Sequence, residues 1–349
     1  MTAEPATTEE QPRTDEPVLA VRDLRVSFGT RRGRATVVDG VSWEVHRGET
    51  LAIVGESGSG KSVSALAVSG LLPTPPARVE GEAWMGETEL LGLPEEKRRR
   101  TRGRKIGMVF QDPMTSLNPF LTIGRQITEG LEYHLGLRGD DLRRRAVELL
   151  EMVGIPAPEQ RLDEHPHQFS GGMRQRVMIA IALACEPDVL IADEATTALD
   201  VTTQAQIIEV LGRLQEELGM ALVWITHDLG VVAGIADRVT VMYAGQVVEE
   251  APVDDLYADP RHPYTQGLLG ALPVIGGAGE DLATIPGLPP DPLQMPPGCR
   301  FWPRCPMRLD ERCETEQPPL REVAPGHRVR TFYDAGRDGV RREETRDDR

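Results

Sequence analysis

Eight consecutive residues, Gly55-Glu56-Ser57-Gly58-Ser59-Gly60-Lys61-Ser62, have the types and spacing of a phosphate-binding loop. Glycines there let backbone N–H groups converge on phosphate oxygens, and a helix N-terminus adds positive potential. Lys61 would reach the β- and γ-phosphates of ATP, and the Ser62 hydroxyl would ligate Mg²⁺. The pattern carries weight only between a strand and a helix. Here the apolar run Leu51 to Val54 precedes it and an apolar-rich segment from Lys61 to Leu72 follows. A Gly-rich turn with a chance Lys-Ser is the bland alternative, and that context disfavours it.

A second constellation ends the apolar run Val189-Leu190-Ile191-Ala192 with Asp193 and Glu194. Successive strand residues point to opposite sides, so the two acids can differ in role. Asp193 is placed to hold Mg²⁺ and Glu194 to polarise a water attacking the γ-phosphate. An acidic pair at a strand end is more often a solvated terminus or a helix cap; the phosphate loop reverses that prior. A third run, Phe169-Ser170-Gly171-Gly172-Met173-Arg174-Gln175-Arg176, precedes a helix-length apolar stretch, with Ser170 as its N-cap. The chain would then own two Gly-rich helix N-termini suited to phosphate, one more than a single nucleotide bound within one chain needs. A nucleotide held by a partner explains the second.

Positioning these residues requires alternating elements. The runs VLAVRDLRVSF and TVVDGVSWEV read as antiparallel strands about the loop GTRRGRA. Between about 111 and 185 the pattern is mainly helical, with Leu142, Ala146, Leu149 and Val153 on one face. Strands over Val189 to Ala192 and Leu222 to Thr226 flank a helix striped with Ile207, Leu211, Leu214 and Leu218, and RVTVMYAGQVVEE reads as a hairpin turning at Ala244-Gly245. Alternating strands and helices predict an α/β fold with a largely parallel sheet covered on both faces. From about residue 251 the composition turns Pro- and Gly-rich, which predicts a separate C-terminal module over 251–333. Residues 1–17 and 334–349 are charged and poor in apolar residues and read as disordered tails.

The chain has 349 residues and a formal net charge of -16, which argues against a surface built for nucleic acid. No stretch reaches the roughly 18 apolar residues of a membrane span.

In order and spacing, the phosphate loop, the Ser-Gly-Gly signature, the Asp-Glu strand end, Ala198-Leu199-Asp200 and His227 resemble the ATPase subunits of ABC transporters. The resemblance implies a P-loop NTPase of ABC type over 18–250: a RecA-like parallel core, an N-terminal antiparallel β subdomain and a helical subdomain at about 111–185. It implies a head-to-tail dimer in which Ser170, Gly171 and Gly172 meet the γ-phosphate held by the other subunit and Asp200 couples the two sites. His227 would sense the γ-phosphate and position the water with Glu194. Gln111 would link Mg²⁺ and nucleotide occupancy to the membrane subunits, and Phe28 would stack on adenine, though a plain core Phe is nearly as good a reading. Gln111-Asp112-Pro113-Met114-Thr115-Ser116-Leu117-Asn118-Pro119, the FSGGMRQR signature and Arg261-His262-Pro263-Tyr264-Thr265 narrow the likeness to the oligopeptide/dipeptide importers. That subfamily implies two permease subunits, a second homologous ATPase subunit and an extracytoplasmic substrate-binding protein, with this chain peripheral at the cytoplasmic face of the cell membrane. The alternatives are the same role for nickel or another small solute, or a soluble ABC ATPase with a metal- or redox-sensing module.

Cys299, Cys305 and Cys313 resemble part of a segment that in some members holds an iron-sulfur cluster through four cysteines. Thr331 stands where the fourth would be. Three readings stay open: a [4Fe-4S] cluster with another fourth ligand, zinc with His327 completing a Cys₃His set, or a metal-free cap.

Overall fold

The computed structural model describes residues 16–197, 199–272, 284–308, 310–336 and 339–341. Most of the expected N-terminal tail, and residues 342–349 of the expected C-terminal one, lie outside the described residues, as does Ala198. Part of the second tail differs from expectation: Asp334–Gly336 pairs antiparallel with Gly339–Arg341. Backbone hydrogen bonds alone make such a ladder, so charge composition does not reveal it.

In chain order the strands are β1 (Leu19–Thr30), β2 (Gly33–Val45), β3 (Thr50–Val54), β4 (Ala77–Met85), β5 (Thr88–Glu89) and β6 (Ile106–Val109). They continue with β7 (Val189–Asp193), β8 (Ala221–Thr226), β9 (Arg238–Tyr243), β10 (Gln246–Pro252), β11 (Leu320–Ala324) and β12 (His327–Arg330). β1 and β2 make the expected antiparallel hairpin, and β4 and β5 extend it into a four-stranded sheet ordered β2-β1-β4-β5. The second sheet has eight strands in the order β11-β12-β10-β9-β3-β8-β7-β6. β9, β3, β8, β7 and β6 run parallel. Every residue of β3, β7 and β8 is buried, as a strand covered on both faces requires.

The helical segment contributes Ile123–Leu135, Gly139–Met152 and Gly171–Leu183. Its predicted stripe is real: Ala146, Leu149 and Val153 are buried and Leu142 packs against them. The same apolar cluster continues through Ile207, Leu211 and Leu214 to Leu222 and Trp224, so the insert shares its core with the sheet.

The sheet continues across the composition change at 251. β10 runs through it, β12 pairs with β10 at Glu249 and Glu250, and β11 pairs with β12. Tyr243 of β9 packs in one cluster with Tyr264, Phe301 and Cys305. The Pro-rich segment therefore widens the ATPase sheet.

Candidate functional site

β3 ends at Val54, and the loop Gly55–Gly60 leads into the helix Lys61–Val68. Two of its glycines are irreplaceable. Gly55 has φ 151°, and a Cβ there would lie 2.1 Å from the Met242 carbonyl oxygen. Gly60 has φ 100°, and its Cβ would meet the Val37 carbonyl oxygen at 2.6 Å. Lys61 is buried and its Nζ donates to the carbonyl oxygens of Gly55 (2.7 Å) and Glu56 (3.0 Å). Burial pushes this ammonium below its ordinary range, against the pull of Glu194, Asp193 and Glu56. The Ser59 hydroxyl is buried with no hydrogen-bond partner among the described residues, as expected of a cradle built for an acceptor-rich ligand. The loop lines a cavity of about 640 Å³ together with Ser62, Val63, Gln111, Glu194, Thr197, His227 and Leu268.

The order β3-β8-β7-β6 explains how distant residues meet there. Four neighbouring parallel strands release the phosphate loop, His227, the Asp193-Glu194 pair and Gln111 from their carboxyl ends, where open α/β sheets bind ligands. Ser62 Oγ donates to Asp193 Oδ1 at 2.8 Å. Burial raises the Asp193 carboxyl, and the Ser62 bond opposes that rise. Glu194 departs from the strand with φ 49°, its N–H still donating to the Ile225 carbonyl oxygen at 2.9 Å. This turn sends its side chain into the cavity. Its Oε2 accepts from Gln111 Nε2 (2.6 Å) and Thr197 Oγ1 (3.2 Å), and its Oε1 lies 3.4 Å from His227 Nδ1. Ser62, Asp193 and Gln111 offer oxygen donors only, the set a hard Mg²⁺ ion prefers.

The signature stands apart from this cavity. Ser170 Oγ accepts from the Met173 N–H at 3.3 Å, capping Gly171–Leu183. Asp200 caps Val201–Leu218, accepting from Thr203 N (3.0 Å) and Thr203 Oγ1 (2.8 Å), and these bonds hold its carboxyl below the usual range. The two caps adjoin: a Cβ on Gly172 would come within 2.6 Å of Thr203 Cγ2. Ser170 and Gly171 are exposed, and neither they nor Gly172 and Asp200 line the cavity of their own chain. Phe28 is half-buried against the N-terminal core and does not line it either.

Sequence reasoning missed Thr197 and Leu268. Thr197 lies three residues past Glu194, in a turn rather than a motif. Leu268 belongs to the helix Pro263–Gly270, which was assigned to a separate module.

The three cysteines do come together, around a cavity of about 10 Å³ that Thr331, Tyr333, His262 and Arg330 also line. That is room for about one water molecule. Cys305 Sγ lies 3.7 Å from the Tyr333 hydroxyl, and the Thr331 hydroxyl donates to the Tyr333 carbonyl oxygen. Burial raises the Cys299 thiol and pushes Cys313 up to about 12. His327 is not the fourth ligand: its Nε2 lies 2.7 Å from buried Glu249 Oε1. Among the described residues no group of three or more His, Cys, Asp or Glu side chains is disposed to hold a metal ion. The site does not fit a cubane cluster or tetrahedral zinc.

Residues 38–197 match the family profile described as ABC transporter, and residues 248–313 match that of the oligopeptide/dipeptide transporter C-terminal region. The chain is 51% identical over 316 residues to the oligopeptide transport ATP-binding protein AppD of Bacillus subtilis, covering 90% of this chain and 96% of the relative. It is also 51% identical over 295 residues to the dipeptide transport ATP-binding protein DppD of the same organism, covering 84% and 88%. Among solved structures, the ATP-binding cassette MJ0796, dimeric in a post-hydrolysis state with ADP and Pi, superposes with TM-score 0.60 at 31% identity. That match covers 67% of this chain and 98% of the other.

Proposed function

Since the chain belongs to the ABC transporter ATP-binding family, in its oligopeptide/dipeptide branch, we propose that it hydrolyses ATP to power import of di- or oligopeptides through a membrane transporter. The observation that carries this reading is the delivery of the phosphate loop, Ser62-Asp193, Glu194, Gln111 and His227 to one cavity from four adjacent strands.

The loop N–H groups and Lys61 hold the β- and γ-phosphates, and Ser62, Asp193 and Gln111 would hold Mg²⁺, which would supply charge neutralisation on the phosphate oxygens. Glu194 orients the attacking water and takes its proton, with Gln111, Thr197 and His227 fixing the carboxylate. Water oxygen bonds to the γ-phosphorus, the bond to the bridging oxygen of ADP breaks, and phosphate leaves. Phe28 is the residue assigned to stack on adenine.

Ser170, Gly171, Gly172 and Asp200 serve the nucleotide of a second homologous ATPase subunit. Their exposure and their distance from the cavity of their own chain support this arrangement, as does the dimeric state of the MJ0796 cassette. The remaining partners are two permease subunits and an extracytoplasmic substrate-binding protein. Among the described residues no helix is long and apolar enough to cross a membrane. A peripheral placement at the cytoplasmic face, with the permeases supplying the path, is supported by the likeness to transport ATP-binding proteins.

Uptake by proteoliposomes containing the assembled transporter, loaded with ATP and offered labelled dipeptides, pentapeptides or nickel, tests the substrate class. ATP-dependent accumulation of peptide supports the proposal. Accumulation of nickel without peptide replaces it with the metal alternative.

A further inference from the structure

We propose that Arg304 and Tyr264, both in the C-terminal segment, are positioning residues of the ATP site: they clamp Glu56 and thereby set the phosphate loop in its nucleotide-binding shape. The evidence is geometric. Glu56 is the second residue of the loop, and its carboxylate reaches Arg304 of the C-terminal segment. Arg304 Nη1 donates to Glu56 Oε2 at 2.7 Å and Nη2 to Oε1 at 3.0 Å, a two-pronged carboxylate pair. The Glu56 N–H donates to the Tyr264 hydroxyl at 2.8 Å. Its carbonyl oxygen accepts from Lys61 Nζ at 3.0 Å. One residue is thus held by its side chain, its amide and its carbonyl, and the third bond belongs to the lysine that must reach the phosphates.

The clamp is itself fixed. The Arg304 side chain is 6% exposed. Its Nε donates to the Pro286 carbonyl oxygen at 2.9 Å and its Nη2 to that of Ile285 at 3.3 Å, and its guanidinium lies over the Tyr243 ring with the centroid 5.7 Å away. It closes the short turn Trp302–Arg304 between Cys299 and Cys305, whose N–H groups tie back through Trp302 to Cys299. Tyr264 is fully buried beside Tyr243 and Phe301. Four residues along the helix of Tyr264, Leu268 forms part of the nucleotide cavity wall. A buried fork of this kind either glues the segment to the domain or sets the shape of the loop, and the two roles differ in what they move. Glue changes stability alone. A positioning role changes the affinity for ATP, because amides displaced from the phosphates lose their bonds.

The test measures KM and kcat for ATP in the assembled transporter carrying Arg304→Met, Arg304→Lys, Glu56→Gln, Tyr264→Phe or the pair Arg304→Met with Glu56→Gln. The unfolding midpoint of each full-length chain is measured without nucleotide. Arg304→Met and Glu56→Gln should each raise KM about tenfold, the scale of one lost charged hydrogen bond, and the double variant should be no worse than either single. kcat at saturating ATP should stay within about threefold, because the clamp does not touch reacting atoms. Arg304→Lys, which keeps the charge without the fork, should recover only part of the affinity. A KM within twofold of wild type across the set, with only the midpoint lowered, overturns the proposal. If Arg304→Met does not fold, Tyr264→Phe decides: it removes one oxygen, and an unchanged KM overturns the positioning role.

Discussion

Glu194→Gln isolates the base. Replacing one carboxylate oxygen by an amide nitrogen leaves volume and shape nearly unchanged. The retained oxygen can still accept from Gln111 Nε2 and Thr197 Oγ1, which lie 2.6 and 3.2 Å from Oε2, while the new NH₂ faces His227 Nδ1, which can accept. The backbone turn at φ 49° is equally open to Gln, so the side chain stays in the cavity. What is lost is the ability to take a proton. General-base assistance is worth roughly 10²- to 10⁴-fold, which at 1.36 kcal/mol per decade is about 3–5 kcal/mol of activation free energy. ATP binding should survive or tighten, because a negative charge near the γ-phosphate is removed. Phosphate release by the assembled transporter, beside titration of a fluorescent ATP analogue, separates the two effects. Turnover above about a tenth of wild type would refute the assignment of Glu194 as base, since Glu56, the other carboxylate among the described residues lining the cavity, is held by Arg304.

Three further outcomes follow from the geometry. Gly172→Ala drives a Cβ into Thr203, so it should cut hydrolysis by about tenfold or more while ATP affinity of a single chain, read by fluorescence, stays unchanged. Asp193→Asn should raise the unfolding midpoint of the nucleotide-free chain. The carboxyl has its pKa raised by burial, so above that pKa the ionised form costs stability, a cost absent below it and absent in Asn. The same variant should abolish Mg²⁺-dependent hydrolysis, checked by phosphate release. Thr331→Cys, purified anaerobically, should still show no stoichiometric iron or sulfide by chemical analysis, because the three thiols already gathered surround room for only about one water molecule.

The nucleotide site was legible because its residues sit at strand ends, where a short motif fixes both residue type and backbone shape. Gly55 and Gly60 are required by carbonyls of Met242 and Val37, partners far away in sequence, yet the loop pattern already encodes them. Strands β4 and β6 were not legible. β4 carries three acidic or basic residues and Gly81 in nine positions, and β6 is four residues long behind a basic run. Composition also did not show that β11 and β12 join the ATPase sheet, since Pro and Gly report turns and say nothing of which sheet the intervening strands join. His327 illustrates a further limit. Spacing brought it near Thr331, but in β12 its Nε2 is taken up by the buried Glu249 carboxylate of β10, a partner far away in sequence.

The C-terminal segment bears on the nucleotide site at more than the Glu56 clamp. The β9–β10 turn passes through Ala244 (φ 46°) and Gly245 (φ 84°), the left-handed pair that a tight two-residue hairpin needs. The Gly245 N–H donates to the Ser59 carbonyl oxygen at 2.9 Å, and its own carbonyl accepts from Asp39 N at 2.8 Å. The phosphate loop is therefore bonded to this turn, and the turn to β2. Arg300, one residue past Cys299, holds the Ala244 carbonyl oxygen and the Asp39 carboxylate, bridging both anchors from the cysteine segment. Ser59 is thus held by its carbonyl while its hydroxyl stays unpaired, an arrangement that keeps the hydroxyl available to a phosphate without letting the backbone drift. Two arginines of the cysteine segment thus reach the surroundings of one loop: Arg304 at Glu56, and Arg300 at the turn and strand that anchor Ser59. Thr331 fits this frame, because its hydroxyl donates to the Tyr333 carbonyl oxygen and the Tyr333 hydroxyl lies 3.7 Å from Cys305 Sγ.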